Sequence, residues 1–285
     1  MRVGRRLAIL ALLAAATVAA AAAPSAAGWT AVSSLTWHSN VTNADRDPDV
    51  IGGFEFKTDL STHRRWSAGR DDAVFAGLRL STELWPRFDG LDRAAAGIAL
   101  GWQHKFGLGA HVPALRLNLT GDHVAARESG RRGLAGTAAL HLRQRLGHWG
   151  LLQLSREYQR HDARTHAFDR TGAESAARFT FAPRSGWRVT LGAARRDGGV
   201  LSYATPPHPE LLRKAKPLTT VTTFDRAQDM VAYYFIARTE SARAEAGFSL
   251  GPRTEVVFAH ERRTTTEGVV AYRNHLTSLT LVHEF

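Results

Sequence analysis

The chain ends in the segment LTSLTLVHEF, where apolar and polar residues alternate up to a terminal aromatic residue, Phe285. Counting back in steps of two places Leu279 and Leu281 on the face of Phe285, whereas Thr280 and Glu284 lie on the other face. A period of two is the pattern of a β-strand, because successive side chains point to opposite sides of a sheet. The end of the chain is therefore predicted to be a strand with one mainly apolar face.

This ending resembles the C-terminal strand of bacterial outer-membrane β-barrels. The resemblance implies that Leu279, Leu281 and Phe285 form a signal for the barrel-assembly machinery. His283 departs from the apolar residue that is usual at its position. Taken alone, the segment is also compatible with an edge strand of a soluble protein.

The other end of the chain has the organisation of a secretory signal peptide. A basic stretch, MRVGRR, precedes the apolar run LAILALLAAATVAAAAA, and small residues follow in PSAAG. This order predicts export and removal of residues 1–27, and an uncleaved membrane anchor is the alternative. Residues 28–285 are then expected to form one outer-membrane barrel domain.

Composition excludes several classes of protein. The chain has no cysteine, which excludes disulfides, thiolate metal sites, catalytic thiols and a lipoprotein anchor. Its net charge is +11, but no nucleic-acid-binding motif accompanies that charge, so nucleic acid is not an expected partner. After residue 27 there is no apolar run of about 18 residues or more, which excludes a helical inner-membrane protein.

Only a closed β-barrel crosses a bilayer without such runs, because neighbouring strands satisfy each other's backbone groups. We therefore predict an all-β fold, a single antiparallel transmembrane β-barrel of about twelve strands, each about 9–11 residues long. The predicted strands are 29–39, 50–61, 72–85, 92–104, 111–122, 133–145, 150–160, 172–182, 186–197, 232–250, 254–263 and 273–285.

The segment 111–122 shows the pattern most clearly, with Leu115, Leu117 and Leu119 on one face and Arg116 and Asn118 on the other. Pro113 donates no ladder hydrogen bond, so the strand is expected to begin near Ala114. A soluble β-sandwich also alternates in this way. It needs a second sheet to cover the apolar faces, and the sequence offers none.

The connections are expected to be short periplasmic turns that alternate with longer extracellular loops. The predicted turns are SAGRD, FGLGAH, LGHWG, APRSG and LGPRT, and the predicted loops are 40–49, 123–132, 161–171 and 198–231. The proline-rich loop 198–231 is expected to fold over the mouth or into the lumen. The seven tryptophans lie mostly at predicted strand ends, as in the aromatic girdles of membrane interfaces.

The last part of the chain, GPRTEVVFAHERRTTTEGVVAYRNHLTSLTLVHEF, is also loosely similar to the last hairpin of the surface lipoprotein assembly modifier family. The similarity includes no functional motif, and the chain has no room for that family's helical-repeat region. The family's activity is therefore not transferred.

Several arginines lie opposite the apolar faces and are predicted to line the pore. They are Arg79, Arg93, Arg116, Arg143, Arg145, Arg188, Arg196 and Arg243. Arginine stays charged and binds anions through its forked guanidinium, and cationic pores select anions. This pattern favours a narrow anion-preferring channel for small solutes.

The alternative is a filled structural, assembly or secretion barrel that acts with partners. In that case the arginines pair with acidic residues across strands, and the candidates are Glu83, Asp122, Glu157, Glu174 and Glu245. Outer-membrane lipid and lipopolysaccharide are expected to surround the barrel in either case.

A third hypothesis is an outer-membrane lipid hydrolase. Asn118, His141 and Ser155 lie on neighbouring predicted strands, and such a set supports nucleophilic catalysis, with Ser as nucleophile and His as base. Inward polar residues are expected in any barrel, so this candidate is weak.

A metal site in the loop segment RHDARTHAF would use His161, Asp162 and His166, whose spacing is not that of a ligand pair on a helix. Contact of the basic loop with lipopolysaccharide phosphates is favoured instead. No metal and no cofactor are expected.

Overall fold

In the computed structural model, the described residues are 28–182, 186–205, 209, 218–225 and 228–285. The signal peptide predicted for residues 1–27 lies outside them. The described chain is built almost wholly from β-strands, joined by turns and short 3₁₀ segments. No helix in the described ranges is long and apolar enough to cross a membrane.

The strands follow one another along the chain as antiparallel neighbours. Their bounds are β1 Gly28–His38, β2 Gly53–Ser67, β3 Asp72–Leu84, β4 Arg93–Lys105, β5 Ala114–Ala126, β6 Gly133–Leu146, β7 Gly150–Ala163, β8 Arg170–Phe181, β9 Trp187–Ala204, β10 Leu218–Asp225, β11 Gln228–Gly251, β12 Thr254–Glu267 and β13 Val270–Glu284.

Twelve of these strands form a closed barrel, as predicted. Closure depends on two pairings. The first strand pairs with the last, in the register Leu35 to Leu279, and β9 pairs with β11. Strand β10 is not one of the twelve barrel strands, because it pairs with the upper part of β11 beyond the closed wall. Closure removes the free sheet edges that would otherwise attract other chains.

Exposed apolar side chains cover the outer wall. Leu78, Leu80, Ile98 and Leu100 are each more than half exposed, and Leu279 is 54% exposed. Directly paired residues of antiparallel strands share a face, so the register places the intervening polar residues on the inner wall. An apolar exterior around a polar interior is the reverse of a soluble protein and matches a transmembrane barrel.

Some predicted strand boundaries were wrong. Strand β5 begins at Ala114, directly after Pro113, as expected from the missing proline donor, although the alternating segment was drawn from residue 111. The segment 198–231 is not wholly a loop, because β9 continues to Ala204, β10 forms, and β11 begins at Gln228. Strands β12 and β13 also extend to a tight turn at Gly268, where a longer connection was expected. Residues 206–208, 210–217 and 226–227 lie outside the described part.

Candidate functional site: a cationic lumen closed at one end

The barrel has two different ends. At the short-turn end, β2 meets β3, β4 meets β5, β6 meets β7, β8 meets β9 and β11 meets β12. The long-loop end carries the β1–β2 loop (39–52), the β3–β4 loop (85–92), the β5–β6 loop (127–132) and the β7–β8 loop (164–169). The C-terminal end of β9 and the N-terminal end of β11 also lie at the long-loop end, and both extend past the neighbouring strands.

The upper parts of β9 and β11 pair as antiparallel neighbours and close the long-loop end, and we call this strand pair the mouth hairpin (199–204 and 230–237), although β10 lies between the two strands in the chain. Leu201, Tyr203 and Tyr233 are nearly inaccessible, and Met230 and Phe235 are also buried. Neighbouring residues of a strand point to opposite faces, so both faces of this hairpin are covered. A strand on the barrel wall has one face toward the exterior, whereas this segment is covered on both faces except near its lower end, where Ile236 is 57% exposed.

One face of the mouth hairpin packs into an apolar cluster, which we call the mouth cluster. Its members come from separate loops and from the hairpin, and they are Val41, Ile51, Trp85, Phe88, Leu91, Phe168, Leu201, Tyr203, Met230 and Ala232. The opposite face packs on Val270 and Tyr272 of β13. Trp85 was expected at a membrane interface because it ends a strand. It is instead only 7% exposed and belongs to the cluster.

Polar contacts fix the hairpin to the β1–β2 loop. The Tyr203 amide donates to the Thr42 carbonyl at 2.7 Å, and the Thr205 amide donates to Asp49 Oδ1 at 3.0 Å. Asn43, whose φ is +52°, donates from its side chain to the Leu201 carbonyl at 3.0 Å. Asparagine tolerates this left-handed conformation better than most residues. The loop is therefore shaped to hold the hairpin.

Arg131 of the β5–β6 loop completes the closure. It is buried, donates to the Tyr203 hydroxyl, and places its guanidinium carbon 5.0 Å from the centre of the Phe168 ring and 5.6 Å from that of Tyr203. Such contacts attract a cation to an aromatic face. Burial, together with the positive charge of Arg170, lowers the pKa of Arg131 to about 9. The group stays charged at neutral pH.

Beneath the mouth cluster lies a cavity of about 510 Å³ with a charged lining. Glu83 accepts from Arg93 Nε at 2.8 Å, and Glu261 accepts from Arg263 Nε at 2.6 Å and from Arg243 Nη1 at 3.3 Å. A second cavity, of about 260 Å³, continues along the same wall. The space beneath the closure is polar, which suits water and charged solutes.

The predicted pore-lining arginines divide into two groups by partner. Arg79 pairs with Asp122 at 3.8 Å and Arg93 pairs with Glu83. Arg188 and Arg243 both pair with Glu245. Arg188 also pairs with Glu255, at 2.7 Å. The pairing expected for a filled barrel therefore holds for part of the set. Glu157 and Glu174 form no ion pair within the described part.

Arg116, Arg143, Arg145 and Arg196 make no ion pair with any described residue. Arg116 donates to Asn118 Oδ1 at 2.8 Å, and its guanidinium carbon lies 4.7 Å from the centre of the Phe75 ring. Arg143 and Arg145 line a cavity of about 430 Å³ at the short-turn end. Whether these arginines line a conducting pore stays a prediction.

Two further cations on this side were missed in the sequence. Lys105 shares the cavity of Arg143 and Arg145, and Arg178 pairs in register with Gln153 on the inner wall. Their position in the alternating pattern could have identified both. With Arg116, Arg143 and Arg145 they form a surface on β4–β8 that we call the cationic wall. The acidic residues that pair with the other arginines lie mainly on β11 and β12, across the lumen.

The candidate hydrolase residues lie on adjacent strands of the inner wall. His141 and Ser155 are direct partners in the register, and Asn118 pairs with Ala139. No hydrogen bond among the described atoms joins the three side chains, and the Asn118 oxygen accepts from Arg116. The arrangement gives the serine no bonded base.

The candidate metal ligands are not brought together. His161 lies on the inner wall, whereas Asp162 lies on the outer face of β7 and pairs with Arg160 at 2.8 Å. His166 pairs with Asp169 at 2.9 Å. Within the described ranges, no group of three or more histidine or acidic residues is placed to hold a metal ion.

At the end of the chain, Leu279, Leu281 and Phe285 are exposed on the outer wall. The Phe285 amide donates to the Trp29 carbonyl at 2.9 Å, which joins the two ends of the described chain. The assembly signal therefore lies on the strand that closes the barrel. Its recognition by the assembly machinery stays a prediction.

Comparison with solved structures identifies the fold. The chain is similar to the COG4313 outer membrane channel from Pseudomonas putida F1, with a TM-score of 0.59 and 10% identity over 93% of this chain and 97% of that one. The chain has the fold of a bacterial outer-membrane β-barrel. No family model matches the sequence, and comparison with curated proteins returns no match.

Two other barrels are similar at a lower level. The KdgM porin matches with a TM-score of 0.45 and 7% identity, over 90% of this chain and 99% of that one. The translocator domain of autotransporter NalP from Neisseria meningitidis matches with a TM-score of 0.39 and 9% identity, over 99% of this chain and 94% of that one. Because a fold does not by itself imply a function, function has to be argued from the lumen.

Proposed function

We propose that this protein is an outer-membrane channel for small anionic solutes, with the mouth hairpin as its gate. The observation that carries the proposal is the cationic wall, whose five cations form no ion pair with a described residue and of which Lys105, Arg143 and Arg145 line the cavity at the short-turn end. Unpaired guanidinium and ammonium groups at a water-filled wall attract anions and repel cations. The long-loop end faces the exterior in this proposal, because outer-membrane barrels carry their longer loops there.

The gate follows from the position of the mouth hairpin. A solute that enters from the long-loop end meets the mouth cluster before it reaches the charged cavity. The described state is therefore closed on that side, and passage requires the hairpin to leave its contacts with Phe168 and the β1–β2 loop. We expect brief openings of a narrow, anion-selective pore.

The test is ion selectivity in planar bilayers under a salt gradient, with the refolded wild-type protein and the double variant Arg116→Ala, Arg143→Ala. The matched control is Arg64→Ala, which removes an exposed arginine from the outer wall. We expect the wild type and the control to show a reversal potential whose sign indicates anion selectivity. In the double variant, the reversal potential should shift toward zero. Equal selectivity in all three proteins would contradict the proposal.

A filled barrel that acts with envelope partners is the second candidate. The ion pairs Arg93–Glu83, Arg188–Glu255 and Arg263–Glu261 and the closed mouth favour it. It predicts that a folded barrel passes no current even when the mouth cluster is weakened. Electrical silence of such variants would therefore support this candidate over the channel.

A further inference from the structure

The apolar surface of the barrel is much shorter on one side than on the other. On β3 the outward side chains are Val74, Ala76, Leu78, Leu80, Thr82 and Leu84. They cover nearly the whole strand, about 25 Å along the membrane normal at the usual strand rise and tilt. On β9 the outward apolar residues run only from Trp187 to Ala193, about 15 Å on the same basis.

Above that short apolar part, the outer wall of β7–β13 is charged. Register places Arg156, Ser175, Arg195 and Glu240 in one row of direct neighbours. Outside that row, Arg238 and Asp197 are paired with each other, and Arg262 and Arg273 lie on β12 and β13. The arginines are exposed and outward-facing. An outward arginine facing hydrocarbon costs about 2–4 kcal/mol at the bilayer midplane, so this side requires a polar or anionic neighbour.

Three of these five arginines form no ion pair with a described residue. Arg195 and Arg238 share one carboxylate, Asp197, at 3.2 and 3.0 Å. Arg156 donates to the Ser175 hydroxyl at 2.6 Å. Neither Arg156 nor Arg262 forms an ion pair within the described part of the chain. The positive charge is therefore available to a ligand outside the barrel.

The same region contains a depression of about 830 Å³ in the outer wall. Small side chains form its floor, namely Ser175, Ala177, Ala193 and Ala242, and Leu154 lies at one side. Arg195, Glu240 and Arg262 lie along its edge. An apolar floor beside several guanidinium groups fits a molecule with acyl chains and phosphate groups. The carboxylate of Glu240 repels phosphate, but arginines outnumber this single acidic residue along the edge of the depression.

We propose that this depression and its arginines bind lipopolysaccharide, with an acyl chain of lipid A on the alanine floor and its phosphates on Arg156, Arg195 and Arg262. Arginine binds phosphate through two parallel hydrogen bonds. On this side the apolar surface ends lower than it does on β3, so the phosphates bind at a height where the opposite wall is still apolar. The bilayer is therefore thinner beside β7–β12. The proposal rests on the outer-membrane location and is independent of channel activity.

The test is native mass spectrometry of the refolded barrel in detergent, titrated with bis-phosphorylated lipid A and, separately, with the same lipid after removal of both phosphates. The variant is Arg156→Ala with Arg262→Ala. The matched control, Arg64→Ala with Arg253→Ala, removes two exposed arginines near the short-turn end. A heat-modifiable band on gels shows that each protein is folded.

We expect the wild type and the control to bind bis-phosphorylated lipid A with equal affinity, and the variant to bind it at least tenfold more weakly. Equal binding of the dephosphorylated lipid by the wild type would overturn the proposal without reference to any variant. Equal binding of phosphatidylglycerol would overturn the assignment to lipopolysaccharide. A protein dimer that the variant abolishes would reassign the surface to a second copy of the chain. None of these results depends on ionic current.

Discussion

Phe88 provides the most direct test of the gate. Its ring is fully buried in the mouth cluster, at 0% exposure. Replacement of a buried phenylalanine by alanine costs about 3–5 kcal/mol. Part of the ring's packing, against Gly53 at the start of β2, remains when the hairpin leaves, so the lower end of that range applies. Phe88→Ala should therefore destabilise the closed mouth by about 3 kcal/mol.

At 1.4 kcal/mol for each tenfold change, that loss raises the ratio of open to closed channels by about 100-fold. The assay is the opening frequency of single barrels in planar bilayers. Gly53→Val tests the same contact from the other side, because a Cβ atom at Gly53 would lie 2.5 Å from the Phe88 ring and displace it. Leu78→Ala is the control, since Leu78 is 56% exposed on the outer wall.

We expect Phe88→Ala and Gly53→Val to open more often, and Leu78→Ala to behave as the wild type. A folded Phe88→Ala barrel with unchanged opening frequency would refute the reasoning, because the mouth cluster would then not control access. More frequent openings in Leu78→Ala would also refute it, since general destabilisation would explain the effect.

Two further predictions concern stability and assembly. Glu261→Gln removes the charge of a buried carboxylate that accepts from two arginines, so the free energy of unfolding in urea should fall by about 1.5–3 kcal/mol; an unchanged midpoint would show that the pairs contribute nothing. Deletion of Phe285 removes the last ring and its amide bond to Trp29, and should lower the cellular yield of heat-modifiable barrel while refolding in detergent still succeeds. Equal loss in both settings would indicate a folding defect and not a lost assembly signal.

The strand pattern was readable from the sequence because it is local. Alternation places Leu115 and Leu117 opposite Arg116 whatever the rest of the chain does, and Pro113 marks the start of β5 by the loss of a single donor. The closing strand was equally clear at Leu279 and Leu281. These features depend on neighbours one or two residues away, so a single sequence is sufficient to predict them.

The two functional surfaces depend on residues that are distant in the chain. Alternation assigns Arg188 and Arg143 to the same kind of face, but only the tertiary structure shows that Arg188 meets Glu255, 67 residues later in the chain, whereas Arg143 meets no described carboxylate. On the outer wall, alternation places Arg156 and Arg195 on outward positions of β7 and β9, but it does not bring them together. Their significance comes from the strand pairings that place them in one row beside a floor of alanines.

The sequence by itself determined the export signal as an expectation, the all-β class, the number of barrel strands and the inner or outer face of most residues, because period-two alternation specifies a face locally. Only the tertiary structure decided that β9 and β11 extend beyond the wall and fold into the mouth, and that Trp85 is buried there. Those outcomes depend on contacts between loops far apart in sequence, whose apolar residues have no period to reveal them. The height of each charge relative to the apolar surface likewise depends on strand register and tilt, which exist only after the barrel has closed.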